Sequence, residues 1–179
     1  MYVKIFWHII NSVIFTLILL KAVYSEGPTG GALGSSLVIV SSCLGVMAGS
    51  IIWSRFVSST ENYKVTFVLG FVTFFFSSIG IYYYQAPLTL AAIAFVTQLL
   101  SISTYYGSVF LANKAFRTRE KGLSELEIMG GYGSIFGMIL TSVLLTVITI
   151  RDYSIVLAVI SVIGIVFSWI ILKIKLNIR

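Results

Sequence analysis

The residues able to do chemistry are few and scattered. The carboxylates are Glu26, Glu61, Glu120, Glu125, Glu127 and Asp152, and each falls in a connecting stretch or at the end of an apolar run. None is therefore expected near the centre of a membrane, where a proton relay keeps its ionisable group because burial there is costly. Either the chain runs no proton relay of its own or a partner supplies the acid. His8 is the lone histidine and Cys43 the lone cysteine. A metal needs several converging N, O or S ligands, so neither metal nor cofactor is expected. His8 reads as an interfacial residue, with pH sensing as the functional alternative. Cys43 excludes an intramolecular disulfide. Ser134 lies among glycines, but a nucleophilic serine needs a base beside it, and no later helix carries a histidine. No catalytic residue is assigned, and the chain is read as not an enzyme.

What remains is a set of neutral polar residues inside apolar runs: Asn11, Gln98, Thr104, Tyr105, Tyr106 and Tyr132. In hydrocarbon such groups need a partner or a wet cavity. They bond helix to helix, or they line a path for a neutral or amphipathic solute.

The elements that position them are read from hydropathy. Of the residues, 58% are hydrophobic and 10% charged, against roughly 25% charged in soluble domains, so a soluble core could not hide this surface. Six spans are expected in one domain covering 1–179, at about 5–24, 33–53, 65–84, 88–111, 125–150 and 153–172, each near the ~20 residues that cross a bilayer. A cleaved signal peptide is the other reading of the first span. Residues 26–31, with Pro28 and three glycines, read as a turn. The charge-free stretch from Val65 to Asn113 is too long for one crossing and is expected to fold back at Gln85-Ala86-Pro87. Ser124-Glu125-Leu126-Glu127 matches a capping box and places the start of the fifth helix near Glu125.

Charge orients the chain. The net charge of +6 comes from basic residues in short loops rather than from a nucleic-acid-binding face, so no nucleic acid partner is expected. With the N-terminus inside, Lys4, Arg55, Lys64, Lys114, Arg117, Arg119, Lys121, Lys173, Lys175 and Arg179 all fall on the inner side. Only Lys21 and Arg151 fall outside. The expectation is an all-α integral protein of the cell membrane, multi-pass, with both termini cytoplasmic and the lipid bilayer as its first partner.

Glycines mark the contacts. Ser41, Gly45 and Gly49 recur at helical spacing in the second span, and Gly130, Gly131, Gly133 and Gly137 stud the fifth. Small residues let helices approach closely. Gly45, Gly49, Gly133 and Gly137 are the expected packing residues.

The pattern of six spans resembles one half of a major facilitator superfamily transporter. That family carries Gly-x-x-x-Asp-Arg-x-Gly-Arg-Arg between its second and third helices. This chain reads Ser50-Ile-Ile-Trp-Ser54-Arg55-Phe-Val57-Ser-Ser, keeping only the arginine. The stretch Gly130-Gly131-Tyr-Gly133-Ser-Ile-Phe-Gly137 is similar to the glycine-rich fifth helix of drug-exporting members, with Met138 where antiporters have proline. The resemblance implies a gating role for Arg55 and a cavity faced by the first and fourth helices. It implies Asn11, Gln98 and Tyr105 as substrate-binding residues. It also implies alternating access between two halves, so that a homodimer or a second six-helix half completes the carrier. Two other classes fit six spans of this size: the substrate-capturing subunit of an energy-coupling-factor importer, and a membrane assembly protein with no transport activity.

Overall fold

The computed structural model describes residues 2–24, 27–60, 63–115 and 119–173, with side chains for 4–24, 31–58, 63–113 and 124–170. The chain is all-helical over these residues. Its elements are α1 (Tyr2–Tyr24), α2 (Gly27–Thr60), α3 (Tyr63–Tyr83), α4 (Pro87–Ala115), α5 (Arg119–Leu144) and α6 (Ile150–Lys173). All six are long and apolar enough to cross a membrane. Both prolines stand in the first turn of a helix, where the missing N–H costs nothing.

Three boundaries differ from the expected ones. The stretch read as a turn at 27–31 is the first turn of α2, because Pro28 starts a helix as readily as it ends one. Ser124 lies inside α5 rather than capping it, since the helix already begins at Arg119. The fifth helix stops at Leu144 instead of about 150, and the turn at 145–149 sits within the apolar run. In that turn Thr149 Oγ1 donates to Asp152 Oδ2 (2.7 Å) and accepts from the Asp152 amide (3.2 Å), which caps α6.

Hydroxyls in the helices are largely satisfied by their own backbone. Thr16, Thr73, Ser77, Ser78, Thr141 and Ser161 each donate to the carbonyl four residues earlier at 2.7–2.8 Å. These hydroxyls are thus satisfied without a cavity.

Side-chain contacts show the directions of the helices. Gly45 of α2 lies on Phe95, Gln98 and Leu99 of α4, and Gly49 on Leu99 and Ile102, so these two helices run parallel. Gly133 of α5 lies on Ile5, His8 and Ile9 of α1, and Gly137 on Ile9 and Ser12, so these also run parallel. Lys4 reaches Tyr105 while Asn11 meets Ser101, which makes α1 and α4 antiparallel. Ser77 bonds Thr97 and Thr66 accepts from Ser103, which sets α3 against α4. Arg151 bonds Tyr82, and Gly164 packs on Phe71, which sets α6 against α3. So α1, α3 and α5 run one way and α2, α4 and α6 the other. Buried residues of α1, among them Ile10, Ile14, Leu17 and Ile18, form the middle of the core, and α1 touches every other helix.

The two glycine contacts are the same contact made twice. A Cβ built on Gly133 would meet the Ile5 carbonyl oxygen, His8 Cβ and the Ile9 nitrogen; one on Gly45 would meet the Phe95 carbonyl oxygen, Gln98 Cβ and the Leu99 nitrogen. Gly137 faces the Ile9 oxygen (2.7 Å), Ile9 Cα (3.2 Å) and Ser12 Cβ (3.1 Å). Gly49 faces the Leu99 oxygen (2.6 Å), Leu99 Cα (3.1 Å) and Ile102 Cγ2 (2.5 Å). Position for position, α1 corresponds to α4 and α2 to α5. The same register carries the burial pattern: Val38, Ser42, Gly45 and Gly49 are buried, as are Leu126, Gly130, Gly133 and Gly137. In the third helix of each set, Thr66, Phe67, Gly70 and Phe74 are buried in step with Tyr153, Ser154, Leu157 and Ser161. The chain folds as two three-helix repeats of opposite direction.

Candidate functional site

Charge enters the bundle at one end, between the start of α1, the later turns of α4 and the start of α5. Lys4 is 1% exposed and its ammonium nitrogen has no hydrogen-bond partner. It stands over the Tyr105 ring, 4.7 Å from the centroid. The Tyr105 hydroxyl donates to Glu127 Oε1 at 2.8 Å. His8, one turn along α1 from Lys4, has a buried Nε2 that also lacks a partner; a Cβ on Gly130 would lie 2.8 Å from it. Removing an ammonium from water costs several kcal/mol, and a cation–π contact returns about 0.5–2 kcal/mol. Glu127 attracts the Lys4 charge across space, yet no hydrogen bond satisfies the ammonium.

Two expectations are corrected here. Lys4, grouped by sequence with the cations of the flanking loops, is buried, because its side chain packs on the Tyr105 ring of α4. Glu127 is not at a helix end, because α5 starts at Arg119 and so places this carboxylate against Tyr105 of α4. The basic run from Lys114 to Lys121, together with Glu26, Glu61, Glu120, Lys173, Lys175 and Arg179, lies outside the described side chains.

Of the residues singled out for substrate, Asn11 Oδ1 accepts from Ser101 Oγ at 3.4 Å across the α1–α4 contact. These two positions correspond to each other in the repeat, so the bond sits on the axis relating the halves. Tyr105 belongs to the charged cluster just described. Gln98 is 8% exposed and its Cβ lies against Gly45 of α2; it occupies the position that His8 holds in the first repeat. The three therefore face three different neighbours. Arg55 is exposed near the end of α2, apart from them. At the opposite end of the bundle, Lys21 donates to the Ile81 carbonyl and Arg151 donates to the Tyr82 hydroxyl at 2.7 Å.

A groove of about 570 Å³ opens between α3 and α4, lined by Leu69, Val72, Phe76, Ile93, Val96 and other apolar groups. Of its lining hydroxyls, Ser77 Oγ bonds Thr97 Oγ1 at 2.6 Å and Thr73 donates to the Leu69 carbonyl, while Thr89 adds a third. It offers mainly hydrocarbon contact. Among the described residues, no three His, Cys, Asp or Glu side chains come together as a metal site.

No protein-family model, curated protein or solved structure matches this chain.

Lys4 and Glu127 are the functional candidates that sequence reasoning passed over. The signal that could have found them is the spacing between the two glycine pairs, Gly45/Gly49 and Gly133/Gly137. Superposing those pairs reveals the repeat and, with it, where the halves differ.

Proposed function

We propose that this chain is a six-helix membrane half-transporter of the major facilitator type, inserted with both termini in the cytoplasm, that moves a small neutral or amphipathic solute after pairing with a second half. The carrying observation is the pair of glycine contacts repeated position for position between oppositely directed three-helix sets. Inverted repeats of this kind are a construction shared by many secondary transporters, including each six-helix half of that superfamily, with sites at the repeat interface. The contact between Asn11 and Ser101 across the repeat interface supports that reading by bringing two polar groups together there. The family part of the reading rests on likeness of fold alone.

In mechanical terms, glycine-backed contacts let α5 lie on α1 and α2 lie on α4 with backbone nearly touching backbone. In this reading each such pair would move as a unit. The exposed apolar faces of α2 and α5, including Ile39, Leu44, Met47, Ile135, Phe136 and Ile139, leave surface for lipid and for a second half.

The test is native mass spectrometry of the chain in nanodiscs, followed by counterflow in sealed liposomes with fluorescent amphipaths. Two copies per particle and counterflow that Gln98→Leu slows are the expected results. Tight solute binding by a monomer without flux would make the chain a capture subunit. Copurification with a larger complex and no flux would make it an assembly protein. Either outcome overturns the transporter reading.

A further inference from the structure

We propose that the end of the bundle around Lys4, Tyr105 and Glu127 is a binding site for an acidic group, a carboxylate or a phosphate, borne by an amphipathic molecule.

The internal repeat supplies the control. The positions corresponding to Lys4, Tyr105 and Glu127 are Ala94, Phe15 and Ile39. Lys4 and Ala94 are each 1% exposed, Tyr105 and Phe15 are both half-buried, and Glu127 and Ile39 are both exposed. The same packing is therefore made once with charge and once with hydrocarbon. The fold does not require the Lys4 ammonium, which costs several kcal/mol to bury, so its presence calls for another cause.

The chemistry of that cause follows from what Lys4 lacks. Its ammonium is buried, offers three donors and has no acceptor. It stands in the first turns of α1, where free N–H groups and the helix dipole favour negative charge. The neighbouring Glu127 carboxylate attracts the ammonium across space but makes no hydrogen bond to it, accepting instead from the Tyr105 hydroxyl. Tyr105 thus acts as a cover, with its ring over the ammonium and its hydroxyl tied to α5. An acidic group reaching Lys4 displaces that ring, while the apolar part of the molecule lies along the hydrocarbon surface of the bundle. Resting on the half-transporter reading, this names the solute class: an amphipath with an anionic head. A phospholipid offers the same chemistry.

The experiment is equilibrium binding of decyl phosphate to the full chain in phosphatidylcholine nanodiscs, with decyltrimethylammonium and decanol as matched probes. Binding needs no flux, so its failure is distinct from failure of transport. Expected is saturable binding of decyl phosphate alone, weakened about tenfold or more in Lys4→Met, as for loss of a charge-assisted hydrogen bond. Lys4→Arg retains it. Glu127→Gln leaves it equal or tighter, and Tyr105→Phe, which keeps the ring but unties it from Glu127, tightens it severalfold. Ala94 at the equivalent place shows that an uncharged side chain packs there, so a folded Lys4→Met is expected, and Tyr105→Phe keeps the test decisive if it is not. Competition by phosphatidylglycerol, with that lipid retained in native mass spectra only when Lys4 is present, assigns the site to lipid. Competition by inorganic phosphate or decanoate without lipid retention assigns it to solute. No saturable binding, equal binding in Lys4→Met, weaker binding in Tyr105→Phe, or preference for decyltrimethylammonium lost in Glu127→Gln would each overturn the proposal.

Discussion

The contact of α5 on α1 and the contact of α2 on α4 share backbone geometry and differ in chemistry. Gly133 and Gly137 sit on Ile5, His8 and Ile9 much as Gly45 and Gly49 sit on Phe95, Gln98 and Leu99. Around the first contact stand Lys4, Tyr105 and Glu127; at the matching positions of the second stand Ala94, Phe15 and Ile39. Shared geometry is what both halves need to pack. Unshared charge is what packing does not explain. A repeat within one chain thus separates structural from functional residues without any relative for comparison.

The comparison can be broken most sharply by moving the charge. Ala94→Lys places an ammonium at a buried position whose matching neighbours are hydrocarbon, and a loss of several kcal/mol is expected. Thermal melting of the chain in nanodiscs reads it; a variant as stable as the parent would mean that the two ends are not equivalent.

Next in size are Gly49→Leu and Gly137→Leu, made separately. Each new side chain meets backbone oxygen at 2.6–2.7 Å, and overpacking of this kind costs about 1–3 kcal/mol or more. Similar falls in melting temperature are expected for both. A large fall in one alone would deny that α5 on α1 repeats α2 on α4.

Lys4→Ala copies the second repeat into the first. Replacing a buried charge that no hydrogen bond satisfies by a small apolar group is expected to leave stability unchanged or raise it by about 1 kcal/mol or more. Marked destabilisation, read by the same melting assay, would return Lys4 to a structural role.

The smallest expected effect is that of Ser101→Ala. Its bond to Asn11 is long, at 3.4 Å, and hydrogen bonds between membrane helices average about 0.6 kcal/mol. A shift near the limit of a melting measurement is expected. A fall as large as that of the glycine variants would move the weight of the repeat interface onto its polar axis.

Much of the architecture was legible along the chain, and the reason is physical. An apolar run of some twenty residues has one economical conformation when its backbone must bond to itself, so hydropathy alone yields six helices and Pro87 marks the sharpest break between them. Boundaries near weaker signals were less legible. Pro28 reads equally as a turn or as a helix start, and Ser124 has the spacing of a cap yet lies mid-helix because the charged residues before it are good helix formers. The candidate site was least legible. Lys4 looked like one more flanking cation and Glu127 one more terminal acid, because their distance along the chain conceals their nearness in space.

By itself, then, the order of residues determined the number of helices, their approximate lengths and the places where backbone could approach backbone, all of which depend on local hydrophobicity and side-chain size. Only the tertiary structure decided that α5 lies on α1 as α2 lies on α4, that Asn11 meets Ser101 on the axis between them, and that Lys4 is buried under Tyr105 beside Glu127. Those facts depend on which helices pack together, and the hydrophobic character of each face is too uniform to choose a neighbour until glycine-sized gaps and the direction of each helix are matched in three dimensions.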